Sequence, residues 1–469
     1  MQFLSLTVIL RSQTLKDSQS YRAARSQIYD YDSHQFRLAR RRQTKQAQLL
    51  TIHYSSDAII SPRMKILLIN QVFVSPNEPG HTRHFEMGQY LKQRGHELVI
   101  VASDLNYQTG QRTVERKGLY AEQNFDGVRV LRSYIYPAIH RSYFWRIIAF
   151  FSFMFSSILT SLRLKDVDLV LGTTPPIFQA VSAWVVAALH SKPFLLEVRD
   201  LWPEFGISMG VLKNPLIISL SRWLENFLYK RATHILVNSP AYREYMLAKG
   251  IPADKVTYIP YGTDVDMFNP SIDGSSIRKE LKVEDKFVVL YAGALGQAND
   301  IDTLLRAAER LKQYDKIYFV LFGDGKEKTR LEAEAKNKKL TNVIFAGTRP
   351  KKDMPLIVAS ADACLAILQD IPAFRTTYPN KVFDYMAAGR ASIIVIDGIT
   401  RELIESSRGG VYVHPADDAM LAQKILELSQ NPAQVKVMGA NAREYLVKNL
   451  DRRDKLDETL VLFEKLAKP

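Results

Sequence analysis

From residue 64 onward the chain alternates short, almost wholly apolar runs with longer stretches in which apolar residues recur at helical spacing. Apolar runs of about four to eight residues bounded by turn residues read as buried strands, and the intervening periodicity reads as amphipathic helix. Strands are expected at about Lys65–Gln71, Glu97–Ala102, Val128–Ser133, Leu169–Gly172, Phe194–Val198 and Ile235–Asn238. The pattern then repeats: Phe287–Ala292, Ile317–Phe322 and Val343–Ala346 each run into a glycine, Asp302 to Leu311 is amphipathic, and Ser392–Ile396 is a further buried run. Continuous apolar strands alternating with helices predict parallel sheets covered on both faces. At 469 residues the chain is too long for one ordinary core. The expectation is therefore α/β, with two Rossmann-like domains.

The ends read differently from the middle. Residues 11–63 are rich in Gln, Ser and Arg, include Arg40-Arg41-Arg42, and show no periodicity, which is a disorder signature. Met1–Leu10 is apolar but lacks the charged leader and small-residue cleavage site of a signal peptide. Met64 opens a first strand, so residues 1–63 are expected to be a disordered extension upstream of the true start. The first domain then occupies 64–265, with a hinge near Gly262–Pro270; the second occupies 266–445, and 446–469 is a charged helical end.

One stretch carries the most chemistry: Phe374-Arg-Thr-Thr-Tyr-Pro-Asn-Lys-Val-Phe-Asp-Tyr-Met-Ala-Ala-Gly389. Pro379 suits a helix start and Gly389 a left-handed stop, so a helix is expected from about Pro379 to Ala388. Lys381, Asp384 and Tyr385 then share one face near its N-terminus, where backbone N–H groups and the positive dipole end attract anions. An ammonium at a helix N-terminus is a phosphate site in outline. A surface ion pair between Lys381 and Asp384 is the alternative. The glycine-ended strands ahead of it would let backbone N–H groups approach a nucleotide.

Loops at strand ends supply further candidates, because open parallel sheets place ligands there. After the first strand comes Ser75-Pro-Asn-Glu-Pro-Gly80-His-Thr-Arg-His84, giving Gly80, His81 and Arg83; it lacks the full dinucleotide glycine fingerprint. Glu197-Val-Arg-Asp-Leu-Trp-Pro-Glu204 puts Asp200 and Glu204 on another strand end, with loop capping by Asp200 an equal alternative.

Charge and composition narrow the partners. A net charge of +14 points to polyanionic partners, and with no nucleic-acid module in the chain an anionic membrane surface is favoured over nucleic acid. Tyr143–Leu159 is aromatic-rich and flanked by His140, Arg141, Arg163 and Lys165. Its uninterrupted apolar part falls short of the ~18 residues of a membrane span. It fits a helix dipping into an anionic leaflet, with a buried Rossmann helix as the alternative. The single Cys364, in an apolar run, excludes a disulfide framework and reads as core. No metal-ligand cluster is apparent, and no cofactor is expected.

The order Tyr-Pro-polar-Lys, an acidic residue three positions later, Tyr-Met-Ala-Ala-Gly and a buried strand resembles the donor-binding helix of bacterial family 4 glycosyltransferases, which are retaining enzymes of the GT-B fold. Arg94-Gly-His-Glu-Leu98, Asp200-Leu-Trp-Pro203 and the crossover Thr257–Pro270 extend the resemblance along the chain, most of all to transferases of the colanic-acid and O-antigen type. It implies two Rossmann-like domains facing across a cleft, acceptor binding in the first, donor binding in the second, and a terminal helix returning to the first. The donor would be a nucleotide-diphosphate sugar, a UDP-sugar, and the acceptor a polyprenyl-diphosphate-linked saccharide, handled by a cytoplasmic enzyme peripheral to the inner face of the plasma membrane.

By the same resemblance Gly293, Gly296, Gly323, Thr348 and Arg349 would hold the diphosphate and base. Lys381 would neutralise the diphosphate, Asp384 would accept from ribose hydroxyls, and Asp200 and Glu204 would orient the acceptor, with Gly80, His81 and Arg83 on the same side. The chain departs from the family where Thr376, Ala294 and Asn299 replace a glutamate, an arginine and a lysine; Lys381 and Arg375 are the candidate compensations. A sugar-nucleotide epimerase or a non-catalytic donor-binding subunit would share this frame.

Overall fold

The computed structural model describes residues 63–75, 78, 82–106, 110–138 and 143–468. The expected extension up to residue 62, the loop residues Gly80 and His81, and the flanking His140 and Arg141 lie outside the described residues.

The first sheet comprises β1 (Lys65–Ile69), β2 (Glu97–Ser103), β3 (Tyr120–Phe125), β4 (Val128–Ser133), β5 (Leu169–Thr174), β6 (Phe194–Val198), β7 (His234–Val237) and β8 (Val256–Tyr258). Their order is β3-β4-β2-β1-β5-β6-β7-β8. All neighbours pair in parallel except β3, which is antiparallel to β4. The sequence pattern misses β3 and β8. Both are edge strands, and an edge strand has no need of the continuous apolar run that marks a central one.

Helices α1 (Arg83–Gln93), α2 (Tyr143–Ser161), α3 (Ile177–His190), α4 (Glu204–Ser208), α5 (Pro215–Arg231) and α6 (Pro240–Ala248) belong to this lobe. α2, α3, α5 and α6 share one core with the sheet, around Phe153, Ala180, Leu228 and Tyr242. α2 has two characters. Ala149 and Phe153 are fully buried, and the Ser152 and Ser156 hydroxyls bond Tyr136 N and Tyr134 O, whereas Phe144, Phe155 and Leu159 are exposed. By length and composition its 18-residue stretch Phe144–Ser161 is long and apolar enough to cross a membrane, longer than the uninterrupted run suggested, because serines within it count little against an apolar helix.

The second sheet comprises β9 (Phe287–Ala292), β10 (Ile317–Phe322), β11 (Val343–Gly347), β12 (Ala363–Ile367), β13 (Ala391–Val395) and β14 (Gly410–Tyr412), ordered β11-β10-β9-β12-β13-β14 and parallel throughout. Helices α7 (Ser275–Leu281), α8 (Ile301–Arg310), α9 (Lys328–Asn337), α10 (Met354–Ala359), α11 (Asn380–Ala387), α12 (Ile399–Ser407), α13 (Asp418–Gln430) and α14 (Pro432–Leu450) accompany it. Two separate cores, one on each face, cover it. Cys364 on β12 is fully buried, and burial pushes its thiol pKa up.

The chain passes between the lobes twice, and the two passages run side by side. Thr263 N donates to Leu450 O at 3.1 Å, and Arg452 N donates to Thr263 O at 3.0 Å. Gly262 has φ +57°, and a Cβ there would overlap the Leu450 carbonyl, so this crossing requires glycine. α14 packs on the second lobe, whereas the final helix α15 (Arg452–Ala467) lies against the first. Leu460, Leu462 and Phe463 fill the core beneath β1, and Asp457 accepts from Arg94 at 2.8 Å.

Candidate functional site

At the carboxyl edge of the second sheet three strand ends stack through their backbones. Gly293 N donates to Phe322 O at 2.9 Å, Gly323 N to Gly347 O at 2.8 Å, and Leu295 N to Asp324 O at 2.9 Å. A Cβ on Gly323 would overlap the Gly293 carbonyl, so the close approach of the two loops fixes glycine there. The N–H groups of Gly293 and Gly323 are thus committed within the sheet edge. These two glycines shape the sheet edge and do not leave their own N–H groups free. A side chain on Gly296 would meet nothing, so this residue borders open space.

α11 is aimed at this edge by Tyr385, whose hydroxyl accepts from Ala292 N at 3.0 Å. The side chain of Lys381, in the first turn of α11, consequently lies against Gly293, with Nζ 4.0 Å from the centre of the Tyr291 ring. The expected alternative, a surface pair between Lys381 and Asp384, does not form. Lys381 has no carboxylate partner among the described residues, and burial pushes its pKa down to about 7. An ammonium largely withdrawn from water and lacking a counter-ion is arranged for an incoming anion.

Asp384, one turn further along, faces the hinge. It accepts from the Thr263 hydroxyl, and burial raises its pKa to about 6 against the opposing pull of Lys351 and Thr263. Lys351, on the loop after β11, reaches across to α1 and donates to Glu86 at 2.8 Å and to Thr82 at 3.1 Å. Glu86 also pairs with Arg452. One carboxylate of the first lobe therefore holds a cation from the second lobe and another from the C-terminal return.

In the first lobe, a buried charge interrupts the apolar strand β6. Glu197 lies 3.7 Å from Arg83 and 3.2 Å from the His84 ring, whose other nitrogen bonds Asn70 at 2.9 Å. Burial pushes the Glu197 carboxyl up, but Arg83, the His84 hydrogen bond and Arg199 outweigh it and hold the group well below the usual range. Burial and then Arg83 press His84 down to about 4, so its imidazole is neutral. The Arg83 guanidinium lies 3.9 Å above the Tyr261 ring, and its buried Nη2 has no hydrogen-bond partner. Asp200 follows β6, where burial raises its carboxyl despite Arg199 and Arg83.

The structure thus brings Lys381, Gly293 and Gly323 together at the sheet edge of the second lobe, and Arg83 and Asp200 together in the first. Several candidates stand apart. Glu204 opens α4 and is clasped by the exposed Arg222 of α5 at 2.9 and 3.2 Å. Arg349 pairs with Glu280, and Arg375 pairs with Asp370 at 3.0 Å, both at the surface, and Thr348 is exposed. Tyr291, Thr263, Lys351, Glu197 and Tyr261 were not singled out in the sequence. Only Glu197 carried a signal, a carboxylate inside an otherwise apolar strand. Among the described residues no cluster of three or more His, Cys, Asp or Glu side chains could hold a metal.

Two family profiles match in tandem, one per lobe. A glycosyl transferase 4-like domain matches residues 80–262, and glycosyl transferases group 1 matches residues 274–445. The chain is 24% identical over 405 residues to a putative colanic acid biosynthesis glycosyl transferase of Escherichia coli, covering 84% of this chain and 98% of the relative. It is 30% identical over 257 residues to an alpha-galactosylglucosyldiacylglycerol synthase of Streptococcus pneumoniae, covering 51% of this chain and 65% of that one. In architecture it is similar to an Anabaena protein solved in complex with UDP-glucose, with a TM-score of 0.64 and 18% identity over 85% of this chain and all of that one. With both lobes matched by their respective profiles, and the two-sheet architecture shared with that structure, the chain belongs to the group 1, GT4-like glycosyltransferases of the GT-B fold.

Proposed function

We infer that this glycosyltransferase moves a sugar from a nucleotide-diphosphate donor, a UDP-sugar, to a lipid-linked saccharide at the inner face of the plasma membrane, with retention at the anomeric carbon, in cell-surface polysaccharide biosynthesis. The observation that carries the donor half is Lys381, unpaired, desolvated and held between the glycine edge of β9 and the N-terminus of α11. As the bond from the anomeric carbon to the diphosphate breaks, negative charge accumulates on the leaving oxygens. An ammonium and a helix N-terminus placed beforehand stabilise that charge more than the ground state. The UDP-glucose complex of the Anabaena protein supports a uridine donor. The names of the Escherichia coli and Streptococcus pneumoniae relatives, in colanic acid and galactosylglucosyldiacylglycerol synthesis, support polysaccharide assembly and a lipid acceptor. The exposed aromatic face of α2 supports contact with an anionic leaflet.

The test is release of free nucleoside diphosphate from UDP-, GDP- and dTDP-sugars, with and without a membrane lipid extract, by wild type and Lys381→Ala. Extract-dependent release from one donor, lost in the variant, is expected, and the anomeric configuration of the product by NMR reports retention. An isomerised donor with no transfer would establish an epimerase instead.

A further inference from the structure

We propose that α5 is a second membrane-docking helix, which with α2 forms one continuous apolar and cationic face that seats the first lobe on an anionic lipid leaflet. Nothing in the α5 sequence announces a membrane element, because its apolar residues are interleaved with charge. In the structure Leu216, Leu220 and Trp223, spaced one helical turn apart, are 67%, 56% and 63% exposed. Such a stripe is more than the scattered apolar residues of an ordinary surface.

The stripe is continuous with α2 through α3. Trp223 stacks on Phe227 at 5.6 Å, Phe227 meets Trp184 of α3 edge-on at 4.8 Å, and Phe178 of α3 contacts Phe151 of α2 at 4.8 Å. Phe151 and Phe155 are themselves 40% and 60% exposed. All three helices pack on the same side of the first sheet, so their outer faces form one surface.

Charge selects the occupant. Lys213 precedes α5, Lys230 and Arg231 end it, and Arg163 follows α2; all four are exposed, and none is ion-paired among the described residues. The one carboxylate within α5, Glu225, is buried and tied to Lys249. An apolar stripe rimmed by unpaired cations matches anionic headgroups over acyl chains, whereas a second copy of the same face would set cation against cation. Arg222 of the same helix holds Glu204, so the docking face is joined to the loop that carries Asp200 at the end of β6.

The inference rests on the membrane reading of α2 but is measured by binding, not turnover. Full-length protein is floated with vesicles of phosphatidylcholine alone and of phosphatidylcholine with phosphatidylglycerol. Leu216→Gln/Leu220→Gln/Trp223→Gln is expected to weaken binding to the anionic vesicles by roughly tenfold or more. Lys213→Gln/Lys230→Gln/Arg231→Gln should lose about fivefold per cation, with no change on neutral vesicles. If the triple variant does not fold, Trp223→Gln alone is compared with wild type for quenching by brominated lipid, which should fall. Wild-type binding by the α5 variants overturns the proposal. Loss of binding in Phe151→Gln/Phe155→Gln with none in the α5 variants overturns it while sparing the α2 reading, and the converse spares α5 alone. A wild-type dimer in sedimentation velocity that the α5 variant dissociates, with vesicle binding unchanged, overturns it in favour of self-association.

Discussion

Replacing Lys381 with methionine should make the protein more stable and nearly inactive. The lysine pKa falls from an ordinary 10.5 to about 7 because burial disfavours its charge. That gap corresponds to roughly 4–5 kcal/mol of native-state cost relative to a freely solvated ammonium. Two terms reduce it. The side chain is not wholly out of solvent, and Nζ sits 4.0 Å above the Tyr291 ring, a contact that contributes about 0.5–2 kcal/mol. A net gain of roughly 1–3 kcal/mol is expected for Lys381→Met, which keeps the length and apolar stem but removes the charge. The sign in pH follows. The unfolded chain holds the extra proton from about pH 7 to 10.5, so wild-type stability rises with pH across that window and the variant's does not. Denaturant midpoints of the two proteins should therefore differ near pH 7 and converge near pH 10. Catalysis should move the other way. Loss of a preorganised charge at a developing oxyanion costs about 3–4 kcal/mol, or roughly two to three orders of magnitude in kcat. Donor KM of the wild type should rise as pH climbs above about 7 and the free ammonium is lost. A methionine variant that is less stable than wild type and turns over within tenfold of it would refute the assignment of Lys381 to the diphosphate.

Other positions test the rest of the site. Gly323→Ala forces the β9 and β10 loops apart, at about 1–3 kcal/mol with a raised donor KM, whereas Gly296→Ala, facing open space, should be close to neutral; thermal midpoints and donor titration check both. Asp384→Asn keeps an acceptor for Thr263 but removes a carboxylate whose pKa is raised to about 6; it should stabilise the protein by at most about 3 kcal/mol above pH 6, and not below pH 3.8, in denaturant titrations at the two pH values. Glu204→Gln breaks only the pair with exposed Arg222, for at most about 1 kcal/mol, and should leave turnover within a few-fold. Asp200→Asn, beside Arg199 and Arg83, should by contrast reduce kcat/KM by roughly a hundredfold in the nucleoside-diphosphate release assay.

What the sequence made legible follows the physics of each signal. Central parallel strands such as β6, β9 and β10 are buried on both faces, so their apolar runs mark them nearly to the residue. Edge strands β3 and β8 carry no such run. α11 was legible because Pro379 and Gly389 bracket it, and Lys381 because its spacing from Tyr385 puts both on the face turned to β9. What stayed hidden is contact across the fold. No local pattern says that Lys351 meets Glu86, or that Thr263 meets Asp384, since 265 and 121 residues separate the partners. Arg349 is engaged by Glu280, 69 residues away, which no local pattern announces, whereas Arg375 is engaged by Asp370 only five residues before it.

The residues at which this chain departs from the usual pattern leave Lys381 as the proposed carrier of the diphosphate charge. Thr376, standing where a glutamate is usual, spends its hydroxyl on Ala373 O at 2.6 Å and its carbonyl on the Ser239 hydroxyl of the first lobe at 2.6 Å, so it serves the seam between lobes. Arg375, the other candidate compensation, is turned outward. Ala294 is exposed at the glycine edge, and an arginine there would enter from solvent, charged at every working pH. A buried lysine differs: it can shed its proton in the empty site and regain it when a diphosphate arrives, so the free protein does not have to hold an uncompensated charge. Introducing Ala294→Arg into Lys381→Met should therefore restore part of the lost turnover, roughly tenfold or more, and remove the dependence of donor KM on pH around 7. If the arginine restores nothing while the double variant still folds and binds nucleotide, the role of Lys381 depends on its exact place against Tyr291 and not on charge alone.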